Sequence, residues 1–190
     1  MSRVILFNLH GSTMYSPQNP EILLNDVFAR VGHILFRWSH FERVLNESTN
    51  WLETHSSINI SKSTHHGVSH VFNRWKSLNG SGMDRDERHK SAVEKLDAMF
   101  SEVLQVRNAL CHGQISANGD FSKNKALVRT ELSGKKADYH YSDLVTTIDK
   151  IHCVQMALLD ISSLASDLDD HSVDTVFKNI QGRFGRVDNN

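Results

Sequence analysis

Apolar residues recur at alternating steps of three and four along the early part of the chain. This spacing places their side chains on one face of an α-helix, where they can line a core. The positions are Leu24, Val27, Val31, Ile34, Trp38, Phe41 and Leu45. Asn19 and Pro20 suit an N-cap and a first helical residue, so we predict a helix from Pro20 to about Asn46. The same apolar face can continue through Trp51 and Leu52.

Further helical patterns follow along the chain. A shorter one covers residues 68–78 and stops at the glycine-containing stretch 79–82. The next begins after Asp84, a plausible N-cap, and ends at Gly113, the expected C-terminal stop. A long helix then starts at Ser142 and runs to about Asp167, and a weaker pattern covers residues 173–180. Trp38 and Trp75 occupy apolar-face positions and are predicted to be core residues.

Between residues 126 and 141 the period of the pattern changes to two. Inward and outward positions alternate on either side of Ser133 and Gly134, which form a turn signal. This pattern predicts a β-hairpin inserted between helices. The predicted fold class is therefore mainly α, an up-and-down bundle of three to four helices with one β-hairpin insert.

The predicted domain organisation has three parts. Residues 20–168 form the helical bundle, residues 1–19 an N-terminal arm, and residues 169–190 a C-terminal tail. A chain of 190 residues with 39% hydrophobic content fits one domain with a core. The formal net charge of −1 provides no global basic field. Broad coating of nucleic acid is therefore not expected, although a local basic pocket is compatible with this charge.

The two cysteines and the N-terminus bear on the compartment. Cys111 and Cys153 fall on apolar helical positions and are predicted to be buried free thiols. Free thiols suit a reducing, cytoplasmic location. The apolar run 4–7 is too short for a signal peptide or a membrane span, so no membrane association is predicted.

The most informative stretch is residues 107–113, Arg-Asn-Ala-Leu-Cys-His-Gly, at the predicted end of the third helix. A guanidinium binds phosphate oxygens bidentately and stabilises charge that develops at phosphorus. An imidazole titrates near neutral pH and can transfer the proton of a ribose 2′-OH. An amide can orient the imidazole or bind a phosphate oxygen. Arg107, Asn108 and His112 are therefore the candidate catalytic residues, and this chemistry requires no metal or other cofactor.

Helix geometry restricts how Arg107 and His112 can cooperate. At about 100° per residue, side chains five positions apart point about 140° from each other. Either His112 swings at the helix end, or two copies of the helix combine their groups across a two-fold axis. The apolar faces of the first and third helices exceed what one small bundle readily covers, which favours a dimer. The alternative is structural, with Arg107 on the surface and His112 as a cap favoured by the helix dipole.

The stretch 107–113 resembles the Arg-(polar)-x3-His motif of the HEPN family. The resemblance covers about residues 20–168, because the motif ends a helix and is followed by another long one. The first helix is also similar to the opening helix of such domains, through Trp38, Phe41, Glu42 and Leu45. The resemblance implies a metal-independent endoribonuclease that leaves a 2′,3′-cyclic phosphate and a 5′-hydroxyl. It assigns the motif positions to Arg107, Asn108 and His112.

The same resemblance implies partners and a biological setting. These are an RNA substrate, a homodimer that pairs two motif copies in one cleft, and an antitoxin or other defence partner protein. The setting is phage defence, a toxin–antitoxin system or a stress response. One toxin subgroup has a tyrosine two residues after the histidine, modified by a partner nucleotidyltransferase. Gln114 occupies that position here, so that control is not expected. Other members have lost activity, and the alternative function is a non-catalytic dimeric module that binds RNA, a nucleotide or a protein.

Two other groups of side chains invite a functional interpretation. The hairpin concentrates positive charge that can contact an RNA backbone or remain solvated, at Lys123, Lys125, Arg129, Lys135 and Lys136. His66 and His70 lie one helical turn apart, a spacing that can bind Zn²⁺. No third ligand is evident beside them, so no metal site is predicted. Together with Arg74 and Lys76 they are read as a polar, basic helix surface.

Overall fold

The computed structural model describes residues 20–55, 67–80, 87–120, 125–164 and 170–185. Within these ranges the chain is mainly helical with one small antiparallel sheet, which confirms the coarse fold class. The elements are α1 (Pro20–His55), α2 (Val68–Gly80), α3 (Glu87–His112), β1 (Gln114–Asp120), β2 (Lys125–Leu132), β3 (Lys135–His140), α4 (Tyr141–Ser163) and α5 (Asp170–Gly185). The predicted N-terminal arm and the predicted N-cap Asp84 lie outside the described residues.

Helix α1 buries the apolar face that its sequence pattern predicts. Val27, Ile34, Phe41 and Leu45 are fully buried, and Leu52 continues the same face two turns later. The helix therefore extends to His55 instead of ending near Asn46, because burial of Leu52 stabilises the added turns.

The long helices α1, α3 and α4 alternate in direction along the chain. Helices α1 and α4 run the same way, since Arg30 contacts Tyr141 near their starts and His40 contacts Gln155 further along. Helix α3 runs opposite to α4, since Glu102 pairs with Lys150 while Val106, a turn later, lies beside Thr146, a turn earlier.

An aromatic cluster forms the centre of the core where α1, α2 and α3 meet. The rings of Phe72 and Phe100 stack with centroids 3.9 Å apart, and Trp38 stacks on Phe100 at 5.9 Å. Trp75 donates its indole N–H to Ser162 Oγ at 2.9 Å, which satisfies the buried polar atom. Trp38 and Trp75 are 2% and 0% exposed, so their prediction as core residues is confirmed.

The sheet contains the predicted hairpin and one strand that was not predicted. Strands β2 and β3 pair around Ser133 and Gly134, whose φ angles of 52° and 76° suit the tight turn of a two-residue hairpin. Strand β1 pairs antiparallel with β2, starting from Gln114 opposite Glu131. Its large apolar residue Ile115 is exposed. The strand is therefore held by backbone pairing and lacks the buried alternation that reveals a strand in a sequence.

The C-terminal helix and one cysteine differ from expectation. Helix α5 is longer than the predicted segment 173–180, and it places Phe177 and Ile180 in the core. Cys153 is half-buried, but Cys111 is exposed, so the prediction of two buried thiols is wrong for Cys111. Leu110 is buried at the preceding position, which turns the next side chain of the helix toward solvent.

Candidate functional site

Helix α3 passes into strand β1 through the single residue Gly113. The Gly113 N–H donates to the carbonyl oxygen of Ala109 at 3.0 Å, a bond of the helical i to i−4 type at the end of α3. A Cβ at position 113 would lie 2.4 Å from that oxygen and 3.2 Å from the carbonyl oxygen of Glu131 on β2. The absence of a side chain at Gly113 therefore allows the helix end to approach the sheet. His112 is fixed at this junction and is exposed to solvent.

Arg107 and His112 of the same chain contact each other. Arg107 Nη1 lies 3.3 Å from His112 Nε2. A guanidinium can only donate, so this contact is a hydrogen bond in the tautomer whose Nε2 accepts. The expectation that one continuous helix keeps these groups apart is wrong. The 140° divergence applies to the Cα–Cβ directions, whereas the long arginine side chain reaches toward the C-terminal end of the helix, where the imidazole lies.

The amide of Asn108 contacts the guanidinium. Arg107 Nη1 donates to Asn108 Oδ1 at 3.0 Å. Among the described residues, the amide makes no hydrogen bond to the imidazole of His112. The structure therefore brings together Arg107, Asn108 and His112, with the arginine at the centre of the three.

Two side chains of helix α1 also contact Arg107. Trp38 Nε1 donates to Glu42 Oε1 at 2.6 Å, and Arg107 Nη2 donates to the same oxygen at 3.4 Å. The guanidinium carbon lies 5.7 Å from the centroid of the Trp38 ring, within the range of a cation–π contact. These contacts leave the Arg107 side chain 21% exposed, so it is oriented but still accessible.

Glu42 and Trp38 contact the site, although the sequence gave them a place in the first helix and no part in the proposed chemistry. Glu42 is 65 positions from Arg107, and no local pattern reports such a contact. The one available signal was the spacing of Trp38 and Glu42, four apart on one helix face. The resulting cluster has one partly exposed guanidinium, one carboxylate beside it and one imidazole.

The basic side chains of the hairpin are engaged differently. Arg129 donates to both carboxylate oxygens of Asp138, at 2.7 and 2.6 Å. This hydrogen-bonded pair raises the pKa of Arg129 and lowers the pKa of Asp138. Lys136 lies 3.6 Å from a carboxylate oxygen of Glu131. Lys123 and the side chain of Lys125 lie outside the described residues.

The basic surface predicted around His66 and His70 is also partly neutralised. Arg74 pairs with Glu53 on α1, and Lys76 pairs with Asp97 on α3 at 2.8 Å. His66 lies outside the described residues, so the spacing of the two histidines has no structural counterpart here. These pairs connect α2 to its neighbours.

Comparison with known proteins gives no further assignment. The chain matches no family model, no curated protein and no solved structure. Among the described helices, none has both the length and the apolar character needed to cross a membrane.

Proposed function

We propose that this chain is a metal-independent endoribonuclease of the HEPN type. The observation that carries the proposal is the contact between Arg107 Nη1 and His112 Nε2 at 3.3 Å. It places a phosphate-binding cation beside an imidazole nitrogen of an exposed histidine. The sequence resemblance supports the same assignment and supplies the setting, namely phage defence, a toxin–antitoxin system or a stress response, with an antitoxin or defence protein as partner, in the cytoplasm.

The proposed reaction uses the ribose as the internal nucleophile. His112 Nε2 takes the proton of the 2′-OH, and the 2′ oxygen attacks phosphorus. The bond from phosphorus to the 5′ oxygen breaks, and that oxygen leaves as a hydroxyl after it gains a proton. Arg107 and its amide neighbour Asn108 stabilise the charge on the non-bridging oxygens. The products are a 2′,3′-cyclic phosphate and a 5′-hydroxyl.

A homodimer remains part of the proposal, on the ground of the resemblance. The apolar residues of α1 and α3 that favoured it from sequence are largely buried within the chain itself, as Ile34 and Leu96 are. In the dimer, the His112 of a second copy supplies the proton for the leaving oxygen. Mixing the wild-type chain with an excess of the His112→Ala chain tests this, because a site that needs both histidines loses its activity in the mixed dimer and a self-contained site keeps it.

The rival function is a non-catalytic dimeric module that binds RNA, a nucleotide or a protein. The contact of Arg107 with Glu42 favours it, because a carboxylate that occupies the guanidinium competes with a phosphate. In that case the arginine acts as a structural link between α3 and α1.

The test is RNA cleavage by the wild type, His112→Ala and the control His152→Ala, an exposed histidine on α4. We expect at least about 100-fold loss of rate for His112→Ala, the scale of general acid–base catalysis. His152→Ala should retain the wild-type rate. All three should melt at the same temperature, and cleavage should survive EDTA. Intact cleavage by His112→Ala, or activity lost in EDTA and restored by Mg²⁺ or Zn²⁺, would refute the assignment.

A further inference from the structure

One side of α1, partly exposed and next to α4, carries an organised surface away from the Arg107 cluster. Five basic side chains recur there at steps of three or four residues, which places them along one side of the helix. They are Arg30, His33, Arg37, His40 and Arg43. Phe36 lies one turn from both histidines and is 70% exposed. These six residues are called the α1 aromatic–basic face, and they extend over about 20 Å at about 1.5 Å per residue.

Two of the three arginines of this face donate hydrogen bonds to uncharged groups and not to carboxylates. Arg30 donates to the phenol oxygen of Tyr141 at 2.8 Å, and Arg37 donates to His33 Nε2 at 3.2 Å. Both acceptors are uncharged, so these bonds hold the guanidinium groups in place without neutralising them. Arg43, at the end of the row, pairs with Glu47 at 3.0 Å. Arg30 and Arg37 therefore form an oriented cationic strip.

The exposed ring of Phe36 adds a second chemical feature. Phe28, two turns before it, is also 48% exposed. Nucleobases of any sequence stack on such rings, and guanidinium groups beside them bind the backbone phosphates. An anionic strand with flat apolar groups matches both features together. An apolar protein surface would match the ring and leave the cationic strip without a counterpart.

We propose that the α1 aromatic–basic face binds single-stranded RNA, with a base stacked on Phe36 and phosphates on Arg30 and Arg37. The choice of RNA over other single strands rests on the proposed function. Phe36 lies on the solvent side of α1, whereas Trp38 and Glu42 on the same helix face Arg107. The face is therefore a binding surface separate from the proposed catalytic cluster.

The experiment measures binding of a 2′-O-methyl RNA oligonucleotide, whose blocked 2′ oxygen prevents cleavage, by fluorescence anisotropy with the full chain. Phe36→Ala and Phe36→Leu should each weaken binding about tenfold or more, since stacking is lost in both. Phe36→Tyr keeps the ring and should bind as the wild type does. Phe36 is exposed, so none of the three variants should change the melting temperature.

A charge series tests the phosphate contacts independently. Arg30→Gln combined with Arg37→Gln should lower the slope of log affinity against log salt by about 1.4, at about 0.7 per phosphate contact on a single strand. The control removes the same charge from Lys95 and Lys178, exposed residues on α3 and α5, and should leave the slope unchanged. Phe36→Ala should also leave it unchanged.

Several results would overturn this proposal. One is equal binding by wild type and Phe36→Leu, which would show that no base stacks on the Phe36 ring. Another is an equal fall in slope for the lysine control. A third is binding to phosphatidylserine vesicles without binding to the oligonucleotide. Loss of catalysis in His112→Ala bears on the proposed function alone, because this assay requires no cleavage.

Discussion

Two arginines of this chain, Arg107 and Arg129, use their hydrogen-bond donors in opposite ways. Arg129 lies on the sheet and donates to both oxygens of Asp138 at 2.7 Å or less. Arg107 lies at the end of α3, where its acceptors are an amide, an imidazole and, at the longer distance of 3.4 Å, a carboxylate. Both side chains are ordered by their neighbours, but only Arg129 is paired bidentately with a carboxylate, while Arg107 contacts mainly uncharged acceptors.

The comparison shows why the number of positive residues is a poor guide to an anion site. The hairpin carries more basic residues than the end of α3. Two of them, Arg129 and Lys136, pair with carboxylates of the same sheet. A bidentate carboxylate offers a guanidinium the geometry that a phosphate would offer. Whether a positive side chain can bind a phosphate therefore depends on its hydrogen-bond partners more than on the number of positive residues nearby.

The largest expected effect separates the two arginines by activity. Arg107→Ala should lower the cleavage rate about 100-fold through lost stabilisation of charge at phosphorus, whereas Arg129→Ala should leave it unchanged. The cost of Arg107→Ala in unfolding free energy should be about 1 kcal/mol, mainly from its contact with Trp38. Cleavage assays and thermal melts on both variants check this. A similar loss of rate in both would show that the comparison is wrong.

The next effect concerns Gly113, the backbone position that follows the Arg107 cluster. Gly113→Ala forces a Cβ to within 2.4 Å of the Ala109 carbonyl oxygen, so the helix end or the sheet must shift. We expect a loss of about 1–3 kcal/mol in unfolding free energy, the usual cost of overpacking. Gly182→Ala is the matched control, since nothing lies within 4 Å of its added Cβ, and it should stabilise α5 slightly. Chemical denaturation of both variants measures the difference.

A smaller effect is expected at Glu42. Glu42→Gln removes the negative charge but keeps an oxygen that can accept from Trp38. Because the pair with Arg107 is partly exposed, the change in unfolding free energy should be about 1 kcal/mol or less. The direction in which the cleavage rate changes distinguishes two roles of the carboxylate. A faster enzyme would indicate that the carboxylate competes with phosphate, and a slower one that it positions the guanidinium.

The smallest effect belongs to the paired arginine and depends on pH. The pKa of Asp138 is lowered in the folded state by its bond to Arg129. Its contribution to stability is therefore present above its ordinary pKa of 3.8 and is lost as the pH falls through the lower folded value. Melts of the wild type and Asp138→Asn should differ slightly near neutral pH and converge in acid. A gap that widens as the pH falls would contradict this assignment.

The sequence predicts the helices and the hairpin well because their signals are local. Alternation of apolar residues records which face of α1 is buried, and Ser133 with Gly134 marks a turn that other residues rarely adopt. Strand β1 escapes prediction because its side chains contribute little to the core. Cys111 is exposed although the pattern predicts it to be buried, because one position along a helix changes the direction of a side chain by about 100°.

The candidate site was only half accessible to the same reasoning. Arg107, Asn108 and His112 lie within six residues of one another, so the sequence singled them out together. Their mutual geometry was not foreseeable, because the direction of Cβ says little about where a long guanidinium group ends. The contact with Glu42 joins two helices far apart in sequence, and only the packing of α1 against α3 reveals it.

The single-residue link at Gly113 has a consequence for the entropy of the proposed reaction. The peptide groups before it are hydrogen-bonded in a helix, and those after it are paired in a sheet. The backbone of His112 is therefore fixed on both sides, and the imidazole keeps freedom only about two side-chain bonds. Most of the cost of ordering a reacting group is thus met when the chain folds, before any ligand arrives.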